Sequence, residues 1–283
     1  MKLLSPAKIN LFLAVTGKRP DGYHELCMLM CAVSLYDTIT LIFDADSRSQ
    51  KIGVFCDAPD VPSDESNLAH KAASLFLKHA GIRGSMDIFI EKNIPAGAGL
   101  GGGSSNAATV LSGLNQHYGF PFSREKLMEM GLKLGADVPF FIFGKPAIAT
   151  GIGEKLEIYK TLSSFKVLLV YPGFSVSTAS VYKNLKLGLT TCKKKIIKAS
   201  FKDRTFNPEH HLCNDLETVT ASLYPEIATI KSLLCEQGAR GALMSGSGSA
   251  VFGLFSDAEG AEAAKRNFSQ NKKWKIFVAD MLI

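Results

Sequence analysis

Residues 95–106 read Pro95-Ala96-Gly97-Ala98-Gly99-Leu100-Gly101-Gly102-Gly103-Ser104-Ser105-Asn106, and no other stretch constrains fold and chemistry as tightly. Five glycines between 97 and 103 remove the β-carbons at which a bulky ligand would collide with the backbone. Beyond them Ala107, Val110, Leu111 and Leu114 fall at helical spacing, which predicts a helix starting around Ser104 with Ser104 and Ser105 at or near its cap. A helix N-terminus offers free amides and the positive end of the helix dipole to an anion. First helical turns usually favour carboxylates, yet none occurs between Glu91 and Glu125, and Lys92 supplies a cation just before the loop. A polyphosphate site needs that arrangement; a tightly packed structural turn does not.

Two common phosphate schemes do not fit. Gly97, Gly99 and Gly102 satisfy GxGxxG, but the helix leads through YGFPFS (118–123) into another helix, where a dinucleotide fold would place a strand ending in an acidic residue. No glycine-rich GK[ST] occurs, and the catalytic motifs of protein kinases are absent.

Outward from the loop, residues 2–15 and 25–43 read as strand-rich, and MDIFIEKNI (86–94) as a strand entering the loop. A helix is expected from Leu68 to near Gly81, another from around Ser123 capped by Gly135, and others over 215–237 and 257–268. FKVLLVYPG (165–173) is a strong strand, 175–187 is partly helical, 241–255 is strand, glycine turn and strand, and the chain ends in a strand. Strands and helices mix without regular alternation, so the fold class is α+β, divided near 155–165 into residues 1–160 and 161–283.

Apolar residues make up 46% of the 283 residues and charged ones 20%, which excludes wholesale disorder and collagen. The net charge of +6 has one source: residues 183–204 carry eight basic side chains against a single Asp203. A nucleic-acid binder would show a broader basic face, so no nucleic-acid partner is expected, and this run reads as a solvated excursion. No apolar run reaches the length of a membrane span. The opening MKLLSPAKINLFLAV is interrupted by Lys8 and Asn10, unlike a secretory leader. The six cysteines lack CxxC spacing and are expected as free thiols in a cytoplasmic protein, monomer or homodimer.

The stretch Pro95–Ala108 closely resembles the phosphate loop of the GHMP kinases, the superfamily of galactokinase and of homoserine, mevalonate and phosphomevalonate kinases. Pro6-Ala-Lys-Ile-Asn-Leu11 and Ser245-Gly-Ser-Gly-Ser249 fit the same resemblance, in the same order. RPDGYHEL (19–26), GADVPFF (135–141) and NDLE (214–217) are most similar to the branch acting on 4-diphosphocytidyl-2-C-methyl-D-erythritol, in non-mevalonate isoprenoid synthesis. The resemblance implies an N-terminal domain like ribosomal protein S5 domain 2 and a C-terminal ferredoxin-like sandwich.

It also implies roles. Lys8 and Asp137 would be the catalytic pair, Asp137 taking or orienting the hydroxyl proton and Lys8 stabilising the attacking oxygen and the γ-phosphoryl. Read without the resemblance, Asp137 could instead cap a short helix opened by Pro139. Residues 95–105 would bind ATP; Asn10, Tyr23, His24, Lys92, Thr178 and Tyr182 would bind the substrate, with Tyr23-His24 and Tyr182 around the cytosine. Mg2+ is implied as ATP's counter-ion, with Ser104 and Ser105 the best candidates beside it and no protein carboxylate assigned as ligand. Ala96 and Ala98 stand where close relatives often have Met and Gly, and both are small enough to spare phosphate access. Adjacent His210-His211 with Cys213 and Asp215 lack metal-ligand spacing and read as structural.

Overall fold

The structure is a computed structural model that describes residues 1–44, 51–187, 190, 192 and 205–283. The chain forms two compact units, each drawn from separate stretches: Met1–Ala7, Tyr36–Ala96 and Gly101–Gly144 in one, Lys8–Leu35, Gly97–Leu100 and Lys145–Ile283 in the other.

In the first unit the second half of β2 (His24–Asp44) pairs antiparallel with β4 (Ser85–Glu91), Thr38 opposite Glu91, and β4 pairs parallel with β3 (Ile52–Cys56). Along β4, Met86, Ile88 and Ile90 are buried while Asp87, Phe89 and Glu91 are exposed, the two-residue period of a sheet with one covered face. That face meets α1 (Leu68–Ala80) and α2 (Gly102–His117) in a core built from Ile39, Leu41, Ile88, Ala72, Phe76, Val110, Leu111 and Leu114. Each fully buried Leu, Ile or Phe among them contributes roughly 1.5–3 kcal/mol. α1 has sharp ends: Asn67 accepts the Ala69 amide at 2.8 Å, and Gly81 takes the left-handed conformation at φ 65°. The short α3 (Arg124–Leu132) and α4 (Val138–Phe143) complete this unit.

In the second unit β1 (Lys2–Lys18, from Lys8 on) pairs with β2 and, in parallel, with β8 (Cys213–Asn214). β5 (Ala147–Gly151) pairs antiparallel with β2 and forms a hairpin with β6 (Lys155–Ile158). The remaining strands are β7 (Lys166–Tyr171), β9 (Gly241–Met244), β10 (Val251–Phe255) and β11 (Lys275–Leu282). They lie in the antiparallel order β11-β7-β10-β9. Among the helices of this unit are α5 (Thr178–Asn184), α6 (Pro208–His211), α7 (Glu217–Leu223), α8 (Glu226–Glu236) and α9 (Ala258–Phe268). α8 packs on β9 and β10, and α9 on β7 and β11.

The mixed sheet and unalternated helices are those of an α+β protein. Several boundaries differ from the sequence pattern for identifiable reasons. The helix expected over 215–237 is two, because Pro225 cannot donate within a helix and disfavours helical backbone at Tyr224, which sits at φ −133°, ψ 83°. α2 begins at Gly102 rather than Ser104, and α3 ends on Lys133 rather than Gly135. The strands β3, β5 and β6 are too short to have given a pattern. Of the basic run 183–204, residues 188–189, 191 and 193–204 lie outside the described residues.

The expectation of six free thiols is corrected. Cys192 and Cys213 form a disulfide, their Cα atoms 5.7 Å apart, while Cys27, Cys31, Cys56 and Cys235 are free. The spacing of 21 residues carries no signal of this; Asp215 makes it, accepting the Cys192 amide at 3.0 Å and the Val15 amide at 2.9 Å and so holding residue 192 beside β8.

Candidate active site

The glycine-rich loop is shaped by what holds its carbonyls. Four consecutive ones are engaged within the second unit: Gly97 by the Val176 amide (3.3 Å), Ala98 by the Ala250 amide (3.0 Å), Gly99 by the Ser245 hydroxyl (3.0 Å) and Leu100 by the Lys8 amide (2.9 Å). Positive φ recurs at every second residue, 63° at Gly97, 77° at Gly99 and 73° at Gly101. Alternation of left-handed with ordinary backbone curls successive amides into a concavity that accepts anions. At Gly99 no side chain is possible, since a β-carbon there would lie 2.1 Å from the Ser245 carbonyl oxygen.

Lys8 and Asn10 meet this loop from β1. Lys8 is buried at 4% exposure, an unusual state for a lysine in an apolar strand, and its Nζ donates to Asn10 Oδ1 at 2.6 Å. The Asn10 amide donates to Ser245 Oγ at 3.4 Å, and the Asn10 side-chain nitrogen lies 3.5 Å from Met28 Sδ. The Lys8 ammonium also faces Gly246, where an added β-carbon would come within 3.4 Å of it. Lysine, asparagine, loop and the Ser245–Ser249 turn therefore converge.

The turn is held by the NDLE stretch. Asn214 donates to the Met244 and Gly246 carbonyls at 2.8 and 2.7 Å and accepts the Leu216 amide at 2.9 Å, while Glu217 accepts the Met244 amide at 2.9 Å. Thr178, at the start of α5, shares a hydrogen bond of 2.8 Å with Ser247 of the same turn.

The aromatic residues form a second patch of this unit. His24 stacks on Tyr182, ring centroids 5.0 Å apart and planes 25° from parallel, and Tyr23 beside it is 59% exposed. Burial lowers the pKa of His24 below its ordinary value, and the nearby Lys18 charge adds to the effect, so the ring is a neutral stacking surface near pH 7.

The other sequence candidates belong to the first unit. α2 follows an N-cap glycine, Gly101, with no side-chain cap and no acidic residue in its first turn, so no side chain competes for its leading amides. Gly102 and Gly103 keep that turn bare. Ser104 is half-buried and borders the GADVPFF stretch, since a β-carbon at Gly135 would lie 3.6 Å from its hydroxyl. Ser105 is turned inward: it is fully buried and accepts the Ser5 hydroxyl at 2.8 Å, which leaves Ser104 as the accessible hydroxyl of the two. Asp137 occupies the N-cap position of α4, but in helical backbone (φ −82°, ψ −14°) and without a side-chain cap bond. Its carboxylate therefore does not serve the helix. Pro95 and Ala96 lead into the loop, with Ala96 exposed. Lys92 is not an exposed cation; its side chain, 6% exposed, is ion-paired with fully buried Asp37.

Asp37 was not among the sequence candidates, while Asn214 and Ser245 lie in the NDLE and Ser245–Ser249 stretches that carried the resemblance without being named as site residues. An acid inside the apolar run of β2 was the available signal for Asp37; nothing local marks the other two as partners. Among the described residues no group of three or more His, Cys, Asp or Glu converges, so they contain no metal cage. No helix among them is long and apolar enough to cross a membrane.

The sequence model of the GHMP kinases N terminal domain matches residues 67–145, and that of the GHMP kinases C terminal domain residues 204–273. A curated 4-diphosphocytidyl-2-C-methyl-D-erythritol kinase from Syntrophotalea carbinolica is 51% identical over 277 residues, covering 98% of this chain and 97% of its own. A crystal structure of 4-(cytidine 5'-diphospho)-2C-methyl-D-erythritol kinase superposes with a TM-score of 0.82 at 35% identity, over 100% of both chains. Homoserine kinase from Cytophaga hutchinsonii gives a TM-score of 0.79 at 19% identity, over 98% of this chain and 93% of its own, a likeness of fold alone. The chain belongs to the GHMP kinase family, in its 4-diphosphocytidyl-2-C-methyl-D-erythritol kinase branch.

Proposed function

We propose that the chain transfers the γ-phosphoryl group of ATP to the 2-hydroxyl of 4-diphosphocytidyl-2-C-methyl-D-erythritol, a step of non-mevalonate isoprenoid synthesis. The observation that carries this reading furthest is the loop: four anchored carbonyls and alternating positive φ leave its amides to a polyphosphate. The substrate hydroxyl oxygen attacks the γ-phosphorus, an O–P bond forms, the bond to the β–γ bridging oxygen breaks, and ADP leaves. Asp137, which makes no side-chain cap bond to α4, takes or orients the hydroxyl proton. Lys8, buried beside Asn10 and the loop, offers its charge to the attacking oxygen and the transferring group. Asn10 orients the Lys8 ammonium and contacts the substrate near the reacting end.

His24, Tyr182 and Tyr23 supply the aromatic surfaces for a cytosine, and the stack of His24 on Tyr182 supports that role. The base would enter by parting the two rings. Thr178, tied to Ser247, acts on the wall of this site rather than as a free donor, whereas Lys92, held by Asp37, serves the phosphate loop rather than the substrate. A magnesium ion carried by the nucleotide fits the residues present, because Mg2+ keeps waters and takes phosphate oxygens with only one or two protein oxygens. Ser104 is the hydroxyl that would hold it, and the ion would neutralise phosphate charge when bound. The antiparallel order β11-β7-β10-β9, covered by α8 and α9, supports a ferredoxin-like reading of the C-terminal part. The S5 domain 2-like reading of the N-terminal part rests on family resemblance. A cytoplasmic location suits an enzyme supplied with ATP.

The test is ADP release with MgATP and the cytidine substrate beside mevalonate, homoserine and galactose. Turnover with the cytidine compound alone is expected, and Asp137→Asn should lower kcat by about 10²–10⁴-fold with a smaller change in KM. Turnover with a control instead would overturn the substrate assignment.

A further inference from the structure

Among the described residues Asp37 is the most deeply buried carboxylate the reaction scheme leaves unused, and its partners sit at the entry to the phosphate loop and abut its exit. It sits on β2 at 0% exposure. One oxygen, Oδ1, accepts the amides of Asn93 and Ile94, each at 2.8 Å, and the other is ion-paired with the Lys92 ammonium. Two of these three residues are stitched down further: Asn93 Nδ2 donates to the Tyr36 carbonyl at 3.0 Å and the Lys92 amide to Asp57 Oδ1 at 2.9 Å. This is the chain entering the loop.

The chain leaving the loop rests on the same residues. A β-carbon at Gly102, the first residue of α2, would lie 3.0 Å from Lys92 Nζ and 3.1 Å from Ile94 Cγ2. The Lys92 charge is therefore held directly against the start of α2, where the leading amides have no side-chain cap. A fold that needed only a filled core would place an apolar side chain there, because a buried ion pair seldom stabilises more than apolar residues of the same volume.

We propose that Asp37 is a positioning residue for nucleotide binding: through Lys92 and the amides of Asn93 and Ile94 it fixes both ends of the phosphate loop and holds a positive charge under the first turn of α2. The inference rests on the kinase reading above, and predicts that the charge, and not merely the folded loop, contributes to phosphate affinity. Removing it weakens nucleotide binding while leaving the cytidine substrate alone.

Calorimetric titration with MgADP separates the possibilities, alongside KM for MgATP and for the cytidine substrate. Lys92→Met is expected to weaken MgADP binding about ten-fold or more, with Lys92→Arg recovering much of the loss. KM for MgATP should rise in parallel while KM for the cytidine substrate stays unchanged. The decisive variant is the double substitution Asp37→Asn with Lys92→Met, which removes both charges and leaves no unpaired ion. If it folds with the parent melting temperature and still binds MgADP about ten-fold more weakly, the charge acts on the nucleotide. Parent-like MgADP affinity in either folded variant would overturn the proposal, and so would failure of both to fold, since the pair would then serve the fold alone. A parent protein that does not bind MgADP at all would instead sink the kinase reading and this proposal with it.

Discussion

At His24, local structure sets a protonation state and the protonation state sets a dependence on pH. The ring lies on Tyr182, and burial, helped by Lys18, holds its pKa below the ordinary 6.5. The unfolded chain therefore takes up a proton at a higher pH than the folded one, and stability rises with pH through this window. The contribution is complete above 6.5 and is lost as the pH falls below it. Melting temperatures recorded between about pH 8 and about pH 5 should fall toward the acid end, and His24→Gln should remove part of that slope. Lys8 was legible in the sequence because a lysine inside an apolar strand needs a reason. Asp37 carried the same signal in the opposite sign. Adjacent serines point about 100° apart around a helix, and of Ser104 and Ser105 it is Ser105 that is turned inward, onto Ser5.

Among the elements, the phosphate loop makes the sharpest claim on its sequence. Gly99 combines φ 77° with a carbonyl oxygen 2.1 Å from where a β-carbon would sit, and both the clashing atom and its neighbours are backbone. Gly99→Ala would pay roughly 1–2 kcal/mol for the left-handed conformation alone, and the clash adds to it by driving the loop from the Ser245–Ser249 turn. Gly103→Ala is the control: its nearest neighbour would be Leu68 Cδ1 at 3.6 Å, and alanine suits a helix better. Thermal melts should show Gly99→Ala clearly destabilised and Gly103→Ala as stable as the parent or more so. Long periodic elements such as β4, α1 and α2 were readable because each buries one regular face. The break at Pro225 had its signal in the proline itself, yet residues 215–237 read as one helix. The order β11-β7-β10-β9 was not readable, because it depends on pairings between residues far apart in sequence. The same is true of Asn214, whose partners at 244 and 246 become neighbours only when the sheet forms.

Over the whole molecule, cysteine chemistry divides the chain into groups with different reactivity. Cys235 is exposed, while burial pushes the Cys31 thiol up to about 12 and makes it inert. Alkylation of the native protein should label Cys235 first. After denaturation without reductant four cysteines should react, and with reductant all six. Mass spectrometry reads both counts directly. The Cys192–Cys213 bond, with a sequence separation of 21, constrains the unfolded chain by roughly 3 kcal/mol on the loop-entropy view. It also makes residues 192–213 a covalent ring that contains much of the basic run. A trypsin cut at a lysine within that ring severs the backbone but leaves the two fragments joined through the disulfide. The products should migrate as one band until a thiol is added, and then as two.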